Sequence, residues 1–237
     1  MQTVTVTMAS RPLLKAGKYH LAALGRGQET QGLATAFKPA QEALDSARTA
    51  REKAEDALAE PRTLARFAEM ALEVIVRDIA SKAHELDRKA GGDLIFKAIF
   101  PSGLDPEVRP RGAGQVTAAI ALRGRLDSQP AAAPVKALLL KDLDAALAAL
   151  GSALESRRMA EQALGLARAA EDGARETFVS SYDSNAGAIR QMFPRNRPRQ
   201  DLYFDTIRAE QTVAEDGQAA EPTSTGTSTS TTEAKKP

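Results

Sequence analysis

The stretch SARTAREKAEDAL, residues 46–58, recurs as SALESRRMAEQAL at residues 152–164, and this duplication is the most informative feature of the chain. A second pair of blocks follows, because LARFAE at 64–69 matches LARAAE at 166–171. Copy one carries a short insertion between its two blocks, around Pro61. Alanine-rich units repeated in this way are typical of helices that bury an apolar face against a related helix. The duplication therefore indicates architecture and identifies no chemistry.

Both copies place apolar residues or alanine in alternating three- and four-residue steps, the pattern of a coiled-coil seam. Each seam has arginine at the same step, Arg51 in copy one and Arg157 in copy two. Because a polar residue at a seam position commonly sets the register of the helices, we predict that role for both arginines. The two seams are Phe37, Ala40, Leu44, Ala47, Arg51, Ala54 and Leu58, and Leu143, Ala146, Leu150, Ala153, Arg157, Ala160 and Leu164.

The two copies differ in where their helices are expected to end. Pro61 predicts that one helix ends and the next begins within residues 60–63, since proline removes a helical hydrogen bond. Copy two has only Gly165 at that point, so its helix is expected to run to about Gly173, and a second helix is expected over 174–193. Each copy is therefore predicted to be a helical hairpin.

Residues 64–90 have the widest apolar face in the chain, which predicts a helix buried by several neighbours. Both copies then contain the motif Asp-x-x-Ala-Gly, at 87–91 and 183–187. The apolar face consists of Leu64, Phe67, Ala71, Leu72, Ile75, Val76, Ile79 and Leu86.

The two ends of the chain have β character. Residues 1–8 alternate threonine or glutamine with apolar residues, and residues 201–207 contain Tyr203, Phe204 and Ile207. Because a lone strand leaves its backbone unpaired, we expect these two strands to pair with each other or with strands of a partner chain.

The sequence thus predicts an all-α fold, an antiparallel helical bundle of two related helical-hairpin repeats with short terminal β-strands. The predicted organisation is an N-terminal strand and connector at 1–35, helical repeat 1 at 36–101, a loop and connecting helix at 102–133, helical repeat 2 at 134–194, an Arg/Pro-rich connector and short strand at 195–208, and a disordered Ser/Thr-rich tail at 209–237.

The amino-acid composition excludes several classes of protein function. The chain has 32 Lys and Arg against 31 Asp and Glu, and it has no cysteine. A cysteine-free chain has no disulfide framework or thiolate chemistry, which fits a reducing compartment. We find no apolar run of the length that spans a bilayer and no secretory signal, and we predict a cytoplasmic location.

Motifs of catalysis and metal binding are not evident. His84 begins a zinc-protease-like helix, but Arg88 stands where the second histidine would be, and no Glu-x-x-His pair occurs. We therefore predict a non-enzymatic protein with no catalytic, cofactor-binding or metal site.

The most prominent polar feature is a group of arginines near the C-terminal end of copy two, which we treat as a candidate contact for an anion or a partner. The favoured function is a structural or protein-interaction bundle that presents a surface to a protein partner or to a second copy of itself. The alternative is binding of nucleic acid or an anionic surface through segment 190–208. Asp201 and Asp205 argue against this alternative, because they reduce the net positive charge of the segment. The candidate contact residues are Arg190, Arg195, Arg197, Arg199 and Arg208.

Overall fold

The computed structural model describes residues 4–205. Within that range the chain forms helices and turns with no strand, which confirms the all-α class. Two short 3₁₀ helices, Gln28–Thr30 and Pro130–Ala132, precede two of the long helices. The α-helices are α1 (Ser10–Leu24), α2 (Gln31–Ala57), α3 (Ala59–Ala90), α4 (Leu94–Ile99), α5 (Asp105–Val108), α6 (Ala113–Ser128), α7 (Ala133–Met192) and α8 (Arg197–Asp201).

A single helix of 60 residues, α7, is the axis of the fold, and both α2 and α3 pack along it. Arg51 of α2 lies 2.6 Å from Glu171 of α7, and Glu55 lies 3.9 Å from Arg168. Residue numbers therefore rise along α2 as they fall along α7, so the two helices are antiparallel. Among residues 4–205, none of the helices combines the length and the hydrophobicity that a membrane-spanning segment requires.

The break between α2 and α3 falls at Leu58, two residues before the predicted range of 60–63. Pro61 is the third residue of α3, so its missing N–H falls in the first turn, where amides have no helical acceptor. Its ring also disfavours a continuous helix through Ala57, four residues earlier. Leu58 is buried at this junction, as is Leu164, its counterpart in copy two.

The predicted helical hairpins are not found. Copy two lies within α7, which continues through Gly165 and Gly173, and α2 and α3 of copy one both pack on α7. Glycine weakens a helix by only about 1 kcal/mol per residue, so contacts with several neighbouring helices keep α7 continuous. The two copies thus pack on each other rather than each folding on itself.

One end of the α2–α7 pair is closed by α1 and by the segment after α8. His20 of α1 is fully buried there among the rings of Phe37, Tyr182 and Phe204, with ring centroids 4.7–5.2 Å from its own. Gly17 allows α1 to approach closely, because a Cβ atom at this position would lie 1.9 Å from Gln41 Oε1. We call this group the aromatic end.

The other end of α7 is covered by α3, α4 and α6. Leu72, Ile79, Leu122 and Leu143 are fully buried in this core. Asp87, also buried, accepts hydrogen bonds from the backbone N–H groups of Ile95 and Phe96 and so holds the start of α4. We call this group the aliphatic end.

The predicted terminal strands do not form within the described residues. Residues 5–8 make a turn closed by the Met8 N–H and the Thr5 carbonyl, and Asp201 ends α8. Tyr203 and Phe204 are buried, so their rings serve packing at the aromatic end instead of a strand face. Residues 1–3, 206 and 207 of the predicted strands, Arg208 and the tail at 209–237 lie outside the described residues.

Between the two ends the molecule is thin. Residues 155–163 of α7 are all exposed except the half-buried Ala160. Every predicted seam residue is buried or half-buried except Arg157, which is exposed. The seam here therefore joins two helices without a third layer, and alanine at every second seam position keeps their axes close.

Candidate functional site

One of the predicted contact arginines, Arg199, interacts with other residues of the fold through an ion pair and an aromatic ring. Arg199 of α8 forms an ion pair with Glu29, and its guanidinium lies 3.9 Å from the centroid of the Phe193 ring. Phe193 in turn stacks on Tyr203 at 5.8 Å. Arg199 thereby links the segment after α7 to the 3₁₀ helix before α2.

The other predicted contact arginines are distributed along the same segment. Arg190 is exposed in the last turn of α7 and interacts with another residue. Arg195 has a φ of 64°, the left-handed region, and Arg197 begins α8; both are exposed. Arg208 lies outside the described residues, so the anion contact predicted for the whole group remains a prediction.

The two seam arginines have partners of the same kind. Arg51 contacts Glu55 in its own helix and Glu171 across the pair, both at 2.6 Å. Arg157 contacts Glu161, four residues on, at 2.9 Å. Glu161 and, more weakly, Glu69 of α3 raise the pKa of Arg157.

These partners correspond within the duplication. Glu55 matches Glu161, and Glu171 matches Glu69. Each seam arginine therefore contacts the matching glutamate of its own copy, and Arg51 also contacts a glutamate of the other copy. The assignment of register to these ion pairs remains a prediction, because a packed seam would also hold them together.

The face of α3 that points away from α7 exposes four large apolar side chains, which we call the outer stripe. They are half exposed or more, from 50% to 62%. At 100° per residue they lie opposite the row of Ala65, Leu72 and Val76, which is buried. The outer stripe consists of Leu64, Phe67, Met70 and Val74.

Charges of both signs run along one edge of the outer stripe. Glu73 accepts hydrogen bonds from Arg77 at 2.7 Å and from Arg111 at 2.9 Å, and these contacts lower its pKa. Arg66 and Met70 line the same shallow cleft of about 410 Å³. An apolar strip bordered by paired charges resembles the surface of a protein contact.

The exposure of the outer stripe contradicts part of the sequence-based prediction. The wide apolar face of residues 64–90 predicts burial by several neighbours, and Leu72, Val76 and Ile79 are indeed buried. Leu64 and Phe67 belong to the same predicted face but are exposed, because α3 packs on α7 through its opposite side. The sequence does contain a sign of this uncovered surface, because the apolar face of residues 64–90 is wider than one partner helix can cover.

The two histidines serve packing. His84 stacks on Phe96 with ring centroids 3.9 Å apart. His20 Nδ1 lies 2.8 Å from the Tyr203 carbonyl, so Nδ1 carries the proton, and Nε2 accepts from the Asn185 side chain. Across residues 4–205 no three His, Asp or Glu side chains are grouped to hold a metal ion.

Comparisons of the chain with protein-family models, with curated proteins and with solved structures find no match.

Proposed function

We propose that this protein is a non-enzymatic structural or interaction protein that self-associates through the outer stripe of α3. The observation that carries the proposal is the exposure of Phe67 and Met70, at 62% and 57%, on one face of a long helix. Contiguous exposed apolar side chains are unfavourable in water and commonly mark contact surfaces. A cytoplasmic setting for this role rests on the cysteine-free sequence.

A second copy of the chain suits this surface because its charged edge contains both signs. Arg66 lies one turn before Met70 and Glu73 lies one turn after it, on the same edge. In an antiparallel, two-fold symmetric pair centred on Met70, Arg66 of each copy would face Glu73 of the other. The same pairing would place Phe67 of one copy near Val74 of the other.

The test is the concentration dependence of mass, measured by sedimentation equilibrium for the wild type and for Phe67→Glu/Met70→Glu. We expect the wild type to form a dimer and the double variant to stay monomeric, since a charge cannot be buried unpaired at low cost. The matched control is Ile120→Glu, which changes an isolated apolar side chain of α6 that is 57% exposed.

The control should dimerise like the wild type. A wild type that is monomeric at every concentration, or a double variant that dimerises with unchanged affinity, would exclude the outer stripe as a self-association surface. Helical content measured by circular dichroism verifies that each variant is folded.

A further inference from the structure

A second surface, on the opposite half of the molecule, is built from arginines. Where the start of α1 meets α2 and α7, a cleft of about 540 Å³ opens, within the range typical of small-molecule sites. Its lining includes three carboxylates, Glu52, Glu171 and Asp172. The arginines that line it are Arg11, Arg48, Arg51, Arg168 and Arg175.

A buried carboxylate holds two of these guanidinium groups in place. The Glu171 side chain is only 6% exposed, and it accepts a hydrogen bond from Ser10 Oγ at 2.5 Å. Arg51 Nε lies 2.6 Å from its other oxygen, and Arg175 lies 3.8 Å away. Side chains fixed in this way lose little conformational freedom when a ligand binds.

The positive charges of the remaining arginines are less fully compensated by acidic residues of the protein. Arg168 is 58% exposed, and Glu55 lies 3.9 Å from it. Arg11 is exposed, and it acts on Glu52 through a weak electrostatic interaction. Glu52 accepts two hydrogen bonds from Arg48, which are the main cause of its lowered pKa. Five arginines thus face three acids in the lining.

The first residues of α1 add to the positive potential of the cleft. Ala9 precedes the helix without a side-chain cap, and the first turn contains no acidic residue. Ala9, Ser10 and Arg11 all line the cleft, so the positive end of the helix dipole faces it. This contribution supports the arginine cluster and would not form a site without it.

We propose that this cleft binds a small ligand that carries two or more linked phosphate groups. Guanidinium groups match phosphate oxygens in pairs, and several phosphates are needed to compete with the carboxylates already present. Among the described residues, the lining contains no aromatic side chain on which a nucleobase could stack. The cleft therefore recognises the phosphates themselves, and the site is independent of the outer stripe.

The experiment titrates the full chain with inorganic tripolyphosphate by isothermal calorimetry at constant ionic strength. We expect saturable binding by the wild type and at least tenfold weaker binding by Arg11→Gln/Arg168→Gln. These two arginines are exposed and weakly paired, so their removal leaves no buried charge without a partner. The matched control, Arg88→Gln/Arg109→Gln, removes the same charge from two exposed arginines near the aliphatic end, neither of which lines the cleft, and should bind within twofold of the wild type.

Three results would overturn the proposal. One is the absence of saturable heat with the wild type. Another is an equal loss of binding in the control, which would indicate general attraction to a positive chain. The third is a single-stranded oligonucleotide that loses its binding in Arg11→Gln/Arg168→Gln although tripolyphosphate does not compete with it, which would assign the cleft to nucleic acid. The melting temperature of each variant verifies that the cleft is folded.

Discussion

Arg51 Nε lies 2.6 Å from Glu171 Oε2, so the arginine at the seam of copy one pairs with a buried glutamate of copy two. The duplication supplies the reciprocal residues, Arg157 and Glu69, but these interact only through a weak electrostatic effect, and Arg157 pairs with Glu161 instead. Arg51 and Glu171 are more buried than Arg157 and its partner Glu161, because Ser10 of α1 covers Glu171 and donates a hydrogen bond to it.

Replacing Glu171 by alanine should lower the free energy of unfolding by about 2–3 kcal/mol, because Arg51 and Arg175 would lose their buried partner. Chemical denaturation followed by circular dichroism measures this change. The control is Glu176→Ala, an exposed glutamate of the same helix, which should change stability by less than about 0.5 kcal/mol. Equal effects of the two substitutions would contradict the assigned role of Glu171.

Replacing glycines inside the helices by alanine should raise the stability of the protein at some positions and lower it at others. At Gly165 and Gly173 an added Cβ atom would have no neighbouring atom within 4 Å, so alanine there should stabilise the protein by about 0.5–1 kcal/mol each. At Gly17 the new methyl group would meet Gln41 and Phe178, and Gly17→Ala should be clearly destabilising. Thermal melts of the three variants measure the effects. A destabilised Gly165→Ala/Gly173→Ala variant would show that α7 bends at these positions.

Much of this architecture could be predicted from the sequence. The seam residues Leu44, Leu58, Leu150 and Leu164 are buried as their periodicity indicates. The choice of partner could not be predicted, because a seam shows which face is apolar and does not show what covers it. The same limit explains why the periodicity predicts burial of Phe67, which the structure leaves exposed.

Local signals were also overridden by packing. Gly173 predicts the end of a helix, but α7 continues through it because its packing on α2 outweighs the cost of one glycine. The cleft at Arg11 and Arg168 was not predicted, since its residues come from three helices and no single stretch of sequence contains it.

Acid should weaken the aromatic end through His20. Burial lowers the pKa of His20, an effect that its hydrogen bond to the Tyr203 carbonyl partly offsets. The unfolded chain therefore binds a proton near pH 6.5 while the folded chain does not, and stability falls as the pH drops below about 6.5, by up to about 1.4 kcal/mol per pH unit.

Urea denaturation at pH 7.5, 6.5 and 5.5 tests this expectation. His20→Gln should be less stable at neutral pH and should lose most of the pH dependence between 6.5 and 5.5. His84→Gln removes an exposed histidine and should retain the pH dependence of the wild type. An unchanged slope in His20→Gln would assign the acid sensitivity to other groups.

The two Asp-x-x-Ala-Gly motifs should differ sharply in their effect on stability. Asp87 is buried and accepts two backbone hydrogen bonds, at 2.9 and 2.8 Å, whereas Asp183 is exposed on α7. Asp87→Ala leaves two half-buried donors at the start of α4 without their acceptor and should cost about 1–2 kcal/mol. Asp183→Ala should cost less than about 0.5 kcal/mol, and equal costs, compared by denaturation, would refute the role assigned to Asp87.

The continuity of α7 has a mechanical consequence. Sixty residues at a rise of about 1.5 Å each make a helix about 90 Å long, and this helix contributes residues to both the aromatic end and the aliphatic end. Because no turn interrupts it, the spacing between the aromatic and aliphatic ends is set by one covalent element. A rotation of α7 about its own axis at one end would be transmitted to the other as torque.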